Sequence, residues 1–150
     1  MKHPKLLSVL ILLLVVVSGC VFSATYSNRA QDKQDAEKIN NQLFDDLKSK
    51  NYDAAYKLFS KDFFVATNKE KLSNIFTFTQ DKLGNLKTTE VSQWETRIIT
   101  GTNPSADYQF VYKNQYQKYP AEVSIRLTKD PDGKVKIVGY HINSDGFFVK

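Results

Sequence analysis

Hydrophobic residues along this chain follow three successive rhythms. Residues 6–17 are apolar apart from Ser8, a continuous run with no period. From 35 to 83 the apolar positions recur at helical spacing. Ala36, Ile39, Leu43 and Leu47, with Phe44 beside them, form one stripe over residues 35–50. Asn51 is placed for a left-handed stop, and Asp53 for the cap of a short second helix whose buried side is Ala54, Ala55, Leu58 and Phe59. Thr67 followed by Glu70 fits a capping box, and Leu72, Ile75, Phe76 and Leu83 continue that helix until Gly84 ends it. Beyond Gly84 the period becomes two. Trp94, Thr96 and Ile98 share one face of a strand, as do Tyr108, Phe110 and Tyr112, with Val111 opposite. Ala121, Val123, Ile125 and Leu127 alternate with Glu122, Ser124, Arg126 and Thr128, the pattern of a half-buried strand. Asp130-Pro131-Asp132-Gly133 is a turn, after which Val135, Ile137, Gly139 and His141 alternate along a last strand. Helices followed by strands predict an α+β domain over residues 35–150, its helices packed on one face of an antiparallel sheet of about four strands.

Lys2 and Lys5 stand ahead of the apolar run, and Val17-Ser18-Gly19-Cys20 closes it with an aliphatic residue, two small residues and a cysteine. With these features the first twenty residues resemble a bacterial lipoprotein signal peptide, and residues 17–20 match its lipobox. Small residues before the scissile bond let it enter a peptidase site at the membrane surface. By that resemblance the Cys20 thiol would take up diacylglycerol, and the amino group freed by cleavage would then be open to acylation. The resemblance implies that residues 1–19 are removed and that Cys20 anchors the chain to membrane lipid; two acyl chains give stable anchoring where one is marginal. An unlipidated secretory signal and an uncleaved anchor are the alternatives. The run is shorter than the roughly 20 residues a spanning helix prefers. Cys20 is also the only cysteine, so no disulfide within the chain explains it. Residues 20–34, polar and without sustained periodicity, are expected to tether the lipid to the domain. Localisation would be the cell envelope; Val21, where Asp is the usual inner-membrane retention signal, favours an outer membrane if the host has one.

Composition bounds the rest. Of 150 residues, removing nineteen leaves 131, enough for one core. Aromatic residues make up 13 %, which marks a globular chain. Losing Lys2 and Lys5 takes the charge from +5 to +3, and the lysines are interspersed with acids, so no nucleic-acid surface is indicated.

The segments Asn51-Tyr-Asp-Ala-Ala-Tyr-Lys-Leu-Phe-Ser60, Lys82-Leu-Gly84 and Asp132-Gly-Lys-Val-Lys-Ile-Val-Gly-Tyr-His-Ile142, in this order, resemble the nuclear transport factor 2-like superfamily over residues 35–143. One departure is Val135, where many relatives carry Trp. The resemblance implies a curved sheet wrapped by helices into a cone, often with a pocket at the wide end. Some relatives are isomerases, dehydratases or cyclases and others bind ligands or proteins, so the fold does not settle function. Dimers are common among relatives, which makes a homodimer an expectation by analogy.

Candidate chemistry is sparse. His141 is the one histidine left after signal removal, among apolar neighbours where a structural role is the commoner one. Asp62 lies beside Phe63 and Phe64, where a raised carboxyl pKa could make a base, although a solvated helix end is the simpler reading. Asp130 to Gly133 is too short for a calcium loop, and one histidine with a lipidated cysteine makes no metal cluster. Phosphate-loop and serine-nucleophile motifs are lacking, and no cofactor is indicated. Trp94, Tyr108, Tyr112 and Tyr140 could line an aromatic pocket in the cone, or simply fill the core. The expectation is therefore a membrane-anchored, non-catalytic module binding a small apolar ligand or an envelope protein. Its alternatives are a small isomerase- or dehydratase-like enzyme using His141 or Asp62, and a protein-interaction domain using the sheet face of Glu122, Ser124, Arg126 and Thr128.

Overall fold

The computed structural model describes residues 22–149; the stretch that resembles a signal peptide, Val17 to Cys20 included, lies outside the described residues. The elements are β1 (Ala24–Ser27), α1 (Ala30–Lys48), α2 (Tyr52–Tyr56), α3 (Lys61–Ala66), α4 (Lys69–Leu83), β2 (Leu86–Thr100), β3 (Ser105–Tyr116), β4 (Pro120–Lys129), β5 (Val135–Asn143) and a 3-10 turn (Asp145–Phe147). The fold is α+β: helices, then an open antiparallel sheet in the order β1-β2-β3-β4-β5.

The sheet has five strands, one more than expected. The extra strand comes from the segment read as tether. Ala24 to Ser27 pair with Thr100 to Arg97, and α1 starts at Ala30, five residues before the expected boundary at Asp35. The attachment is polar, which is why hydrophobic periodicity did not show it. Asn28 adopts a left-handed φ of 54°, donates its backbone N–H to the Thr96 carbonyl at 3.0 Å and accepts the Thr96 N–H on Oδ1 at 2.9 Å. Asparagine tolerates that conformation better than most side chains.

Helix ends also fall slightly off the expected positions. The left-handed stop after α1 is Lys50, with φ 59°, and Asn51 instead caps α2 through Oδ1, which accepts the Ala54 N–H at 3.4 Å. Asn68, not Thr67, caps α4 by accepting from the Lys71 N–H at 2.8 Å. Ser60 starts a separate helix, α3, by accepting the Phe63 N–H at 3.0 Å. Each such cap contributes about 1 kcal/mol.

The inner face of the sheet carries Ile98, Thr96 and Trp94 on β2, Tyr108, Phe110 and Tyr112 on β3, and Val123, Ile125 and Leu127 on β4. Ala36, Leu43 and Phe44 of α1 and Leu72 and Phe76 of α4 join these residues in one buried core. On β5 the expected face assignment is corrected. Ile137 pairs with Leu127 and Gly139 with Arg126, leaving Val138 as a bulged residue. One extra residue reverses the alternation. Tyr140 and Ile142 therefore join Ile137 on the inner side, opposite Ile125 and Val123, while His141 turns outward opposite Ser124. The sequence Ile137-Val-Gly-Tyr140 needs that bulge, because strict alternation would bury only one of the two large side chains.

The free edge of β5 is partly closed. Ser60 donates its N–H to the Ile137 carbonyl at 2.9 Å, and Ile137 donates to the Leu58 carbonyl at 3.0 Å, a single parallel bridge. Unpaired strand edges invite association, so even a short cover matters.

Candidate functional site

The four aromatic residues expected to line a pocket divide into three places. Tyr112 is buried beneath α1, its ring edge-on to Phe44 at 4.8 Å between centroids and its hydroxyl accepting from Asn40 Nδ2 at 2.9 Å. Tyr108 is 1 % exposed, two residues back on the same face of β3. Trp94 is half-buried and opposite Phe110, with Lys33 Nζ 5.3 Å from the ring centroid. Tyr140 belongs to a second cluster, 5.7 Å from Phe76 and 6.4 Å from Phe59. Phe59 also packs on Phe63 at 4.6 Å, and Phe76 on Tyr52 at 5.6 Å and Tyr56 at 6.1 Å.

Between these groups the interior is nearly full. The gap beside Tyr140, bordered by Tyr52, Phe76, Thr79, Leu86 and Tyr116, amounts to about 20 Å³, and none of Trp94, Tyr108 or Tyr112 borders it. That is room for about one water molecule. Thr79 Oγ1, on the border of this gap, is buried without a protein partner. Burial raises the Tyr108 and Tyr116 hydroxyls to about 12 and holds those of Tyr112 and Tyr140 well above the usual tyrosine range, so all four stay neutral across the ordinary pH range.

The two candidate acid–base residues stand apart from this interior. His141 is exposed on the outer face of β5, and Asp62 is exposed in the first turn of α3. The structure does not bring them together with the tyrosines. Among the described residues, no group of His, Cys, Asp and Glu side chains could hold a metal ion, and no helix is long and apolar enough to cross a membrane.

Open hollows of about 640 Å³, between Glu90, Lys113, Glu122 and Asn143, and about 710 Å³, between Tyr56, Phe64, Asn68 and Lys69, indent the surface. Two broader surfaces are candidates for binding. The outer sheet face sets opposite charges across from each other, Arg97 facing Asp107 and Lys113 flanked by Glu90 and Glu122. Ser124 and Thr128 are half-buried on it, while Glu122 and Arg126 are exposed. Antiparallel sheets commonly leave such a face to solvent. The second surface is apolar and lies where the 3-10 turn packs on α4. Phe78 and Phe147 rings stand 5.4 Å apart, and Phe148 beside them is 83 % exposed. Lys82 Nζ donates to the Val149 carbonyl at 3.1 Å, and Ser144 Oγ to the Pro120 carbonyl at 2.6 Å, fixing this segment beside the β3–β4 turn. Sequence reading passed over Phe78, Phe147 and Phe148; the signal was Phe78 on the polar side of a helix whose inner stripe is Leu72, Phe76, Thr79 and Leu83.

A scan against models of known protein families finds no match to this chain, and a search of curated proteins finds none.

Proposed function

We propose that this protein is a lipid-anchored envelope protein whose domain, of the nuclear transport factor 2-like kind, is a non-catalytic docking module for another envelope protein. The anchor is the lipobox cysteine, Cys20, after removal of residues 1–19. The observation that carries the docking role is the contrast between a filled interior and an exposed aromatic surface. Aromatic side chains that could have lined a ligand chamber pack on one another instead and leave about 20 Å³. A small apolar ligand, usually held in a pocket of some hundreds of Å³, has no such room between these rings, and the hollow of about 710 Å³ beside Tyr56 and Phe64 is open and rimmed by Asp53, Lys57 and Lys69. By contrast, Phe78, Phe148 and Val149 stay 48 %, 83 % and 46 % exposed within one short stretch of surface. Exposed apolar groups in a cluster mark association surfaces, and Phe is among the residues enriched there. The enzymatic alternative loses support because His141 and Asp62 both face solvent away from the interior.

The test is photocrosslinking in the native host, with a photoreactive amino acid at Phe148 and, separately, at Gln109 on the outer sheet face. A single recurrent adduct from Phe148 that disappears in a Phe78→Ser background supports the reading. Adducts from Gln109 alone would move the interface to the sheet. Native mass spectrometry of host-purified protein with a stoichiometric small molecule attached would overturn the docking role in favour of ligand carriage.

A further inference from the structure

Only Val21, Phe22 and Ser23 stand between Cys20 and the first strand in the sequence. We propose that the domain stands upright on the lipid surface, with its β2–β3 turn at the headgroups and its β3–β4 turn and aromatic surface pointing away. This rests on the reading of Cys20 as the lipid anchor. Ala24 is already paired with Thr100, so the link from Cys20 has only four residue steps. At about 3.3–3.6 Å per residue it reaches no more than about 14 Å. By comparison, β3 has 12 residues, and at about 3.3 Å each it runs nearly 40 Å from one turn to the other. The anchor therefore cannot lie near both ends of the sheet.

The local chemistry suits a lipid boundary. Phe22 is 84 % exposed, and its carbonyl lies so close to Gly101 that a Cβ there would come within 2.2 Å of it. Phe22 and Ser23 are thus laid against the β2–β3 turn. That turn, Thr100-Gly-Thr-Asn-Pro-Ser105, carries no charge. Tyr26, 40 % exposed, lies on the same short strand with the Arg29 guanidinium 4.2 Å from its ring centroid. Aromatic rings with a polar or cationic rim favour the headgroup level of a bilayer. The β4–β5 turn, at the same end of the sheet, balances Lys129 and Lys134 with Asp130 and Asp132, and Lys134 is paired to Asp132 at 2.9 Å. The flanks are less suitable, since the outer sheet face is studded with Glu90, Glu95, Arg97, Asp107, Lys113 and Arg126.

The experiment uses the mature lipidated protein in vesicles of phosphatidylethanolamine and phosphatidylglycerol. Lipidation consumes the Cys20 thiol, so Asn103→Cys or Lys118→Cys supplies the only free one for a fluorescent probe. Headgroup-nitroxide lipid should remove most of the fluorescence at position 103 and little at 118. Inserting a Gly/Ser linker of about ten residues after Phe22 should abolish the difference, because such a chain spans roughly 5–6 Å times the square root of its length on average and far more when stretched. Equal quenching at both positions without the linker, in protein that floats with the vesicles, overturns the upright orientation alone. Protein that neither floats nor carries diacylglycerol on its N-terminal peptide overturns the anchor and, with it, this inference.

Discussion

Asn40 Nδ2 donates a 2.9 Å hydrogen bond to the hydroxyl of Tyr112, tying the middle of α1 to the middle of the sheet across 72 residues of sequence. Both side chains are buried, Asn40 at 0 % exposure. An asparagine is an unusual occupant of that point. It sits four residues after Ala36 and three before Leu43, within the buried stripe of α1. The bond sets one height of the helix over β3, because sliding α1 by a turn would strand both groups. It also removes Tyr112 from the surface of any chamber: the polar end of that ring is already spoken for.

Tyr112→Phe should therefore cost more than one hydroxyl suggests. It leaves Asn40 with neither side-chain group bonded to protein, since Oδ1 already lacks a partner. The expected loss is about 1–3 kcal/mol in chemical denaturation. Asn40→Leu combined with Tyr112→Phe should recover part of it, as removing both partners is cheaper than removing one. A double variant as unstable as the sum of the singles would show that the pair does not act as a unit.

The β-half of the molecule was legible because each strand alternates, and the turn at Asp130 to Gly133 was legible because only a small set of residues makes that hairpin. Gly133, with φ 82°, donates to the Asp130 carbonyl at 2.8 Å as such a turn requires. What escaped were features held by polar contacts or by a break in period. β1 is attached through Asn28, whose bonds leave no hydrophobic trace. The bulge at Val138 moved His141 from the inner to the outer face, although the three-residue step from Ile137 to Tyr140 already signalled it. The aromatic set lies on the inner side of the sheet, Tyr140 by way of the bulge. Its division into separate packed groups depends on Phe44, Phe59 and Phe76, which reach it from the helices, and a one-dimensional pattern does not say which ring meets which.

Phe76 is the hub of the second aromatic group, touching Tyr52, Tyr56, Phe59 and Tyr140. Phe76→Ala should cost about 3–5 kcal/mol, the transfer loss of the ring plus the cavity left behind. The cavity would join the existing gap, so a small aromatic such as benzene should bind the variant and raise its melting temperature while leaving the parent unchanged. A loss under about 1 kcal/mol would mean that α2 and α4 collapse into the space instead.

The buried tyrosines give a prediction for alkaline solution. In the folded chain Tyr108 and Tyr116 ionise at about 12, against about 10 when unfolded. The folded state thus holds protons that the unfolded state gives up. Their contribution is fully present below about pH 10 and is lost as pH rises from there through 12. Urea midpoints should be level between about pH 7 and 9 and fall steeply by about pH 11. Tyr116→Phe should flatten part of that fall. A midpoint constant to about pH 11 would mean that the hydroxyls are hydrated in solution.

Gly101 tests how firmly the segment ahead of β1 is held. Its φ of 113° is disfavoured for any side chain, and a Cβ would strike the Phe22 carbonyl and the Ser23 Cα. Gly101→Ala should push the link off the β2–β3 turn and weaken the pairing of Ala24 with Thr100, the last rung of β1. The core lies away from this rung, so amide hydrogen exchange should accelerate across Ala24–Ser27 while β3 and β4 keep their protection. If Cys20 is the lipid anchor as proposed, the same change lengthens the free link by the residues of β1 that detach, and the probe at position 103 should lose part of its quenching by headgroup nitroxide. Unchanged exchange in β1 would mean that Asn28, through its two bonds to Thr96, holds the strand without help from the turn.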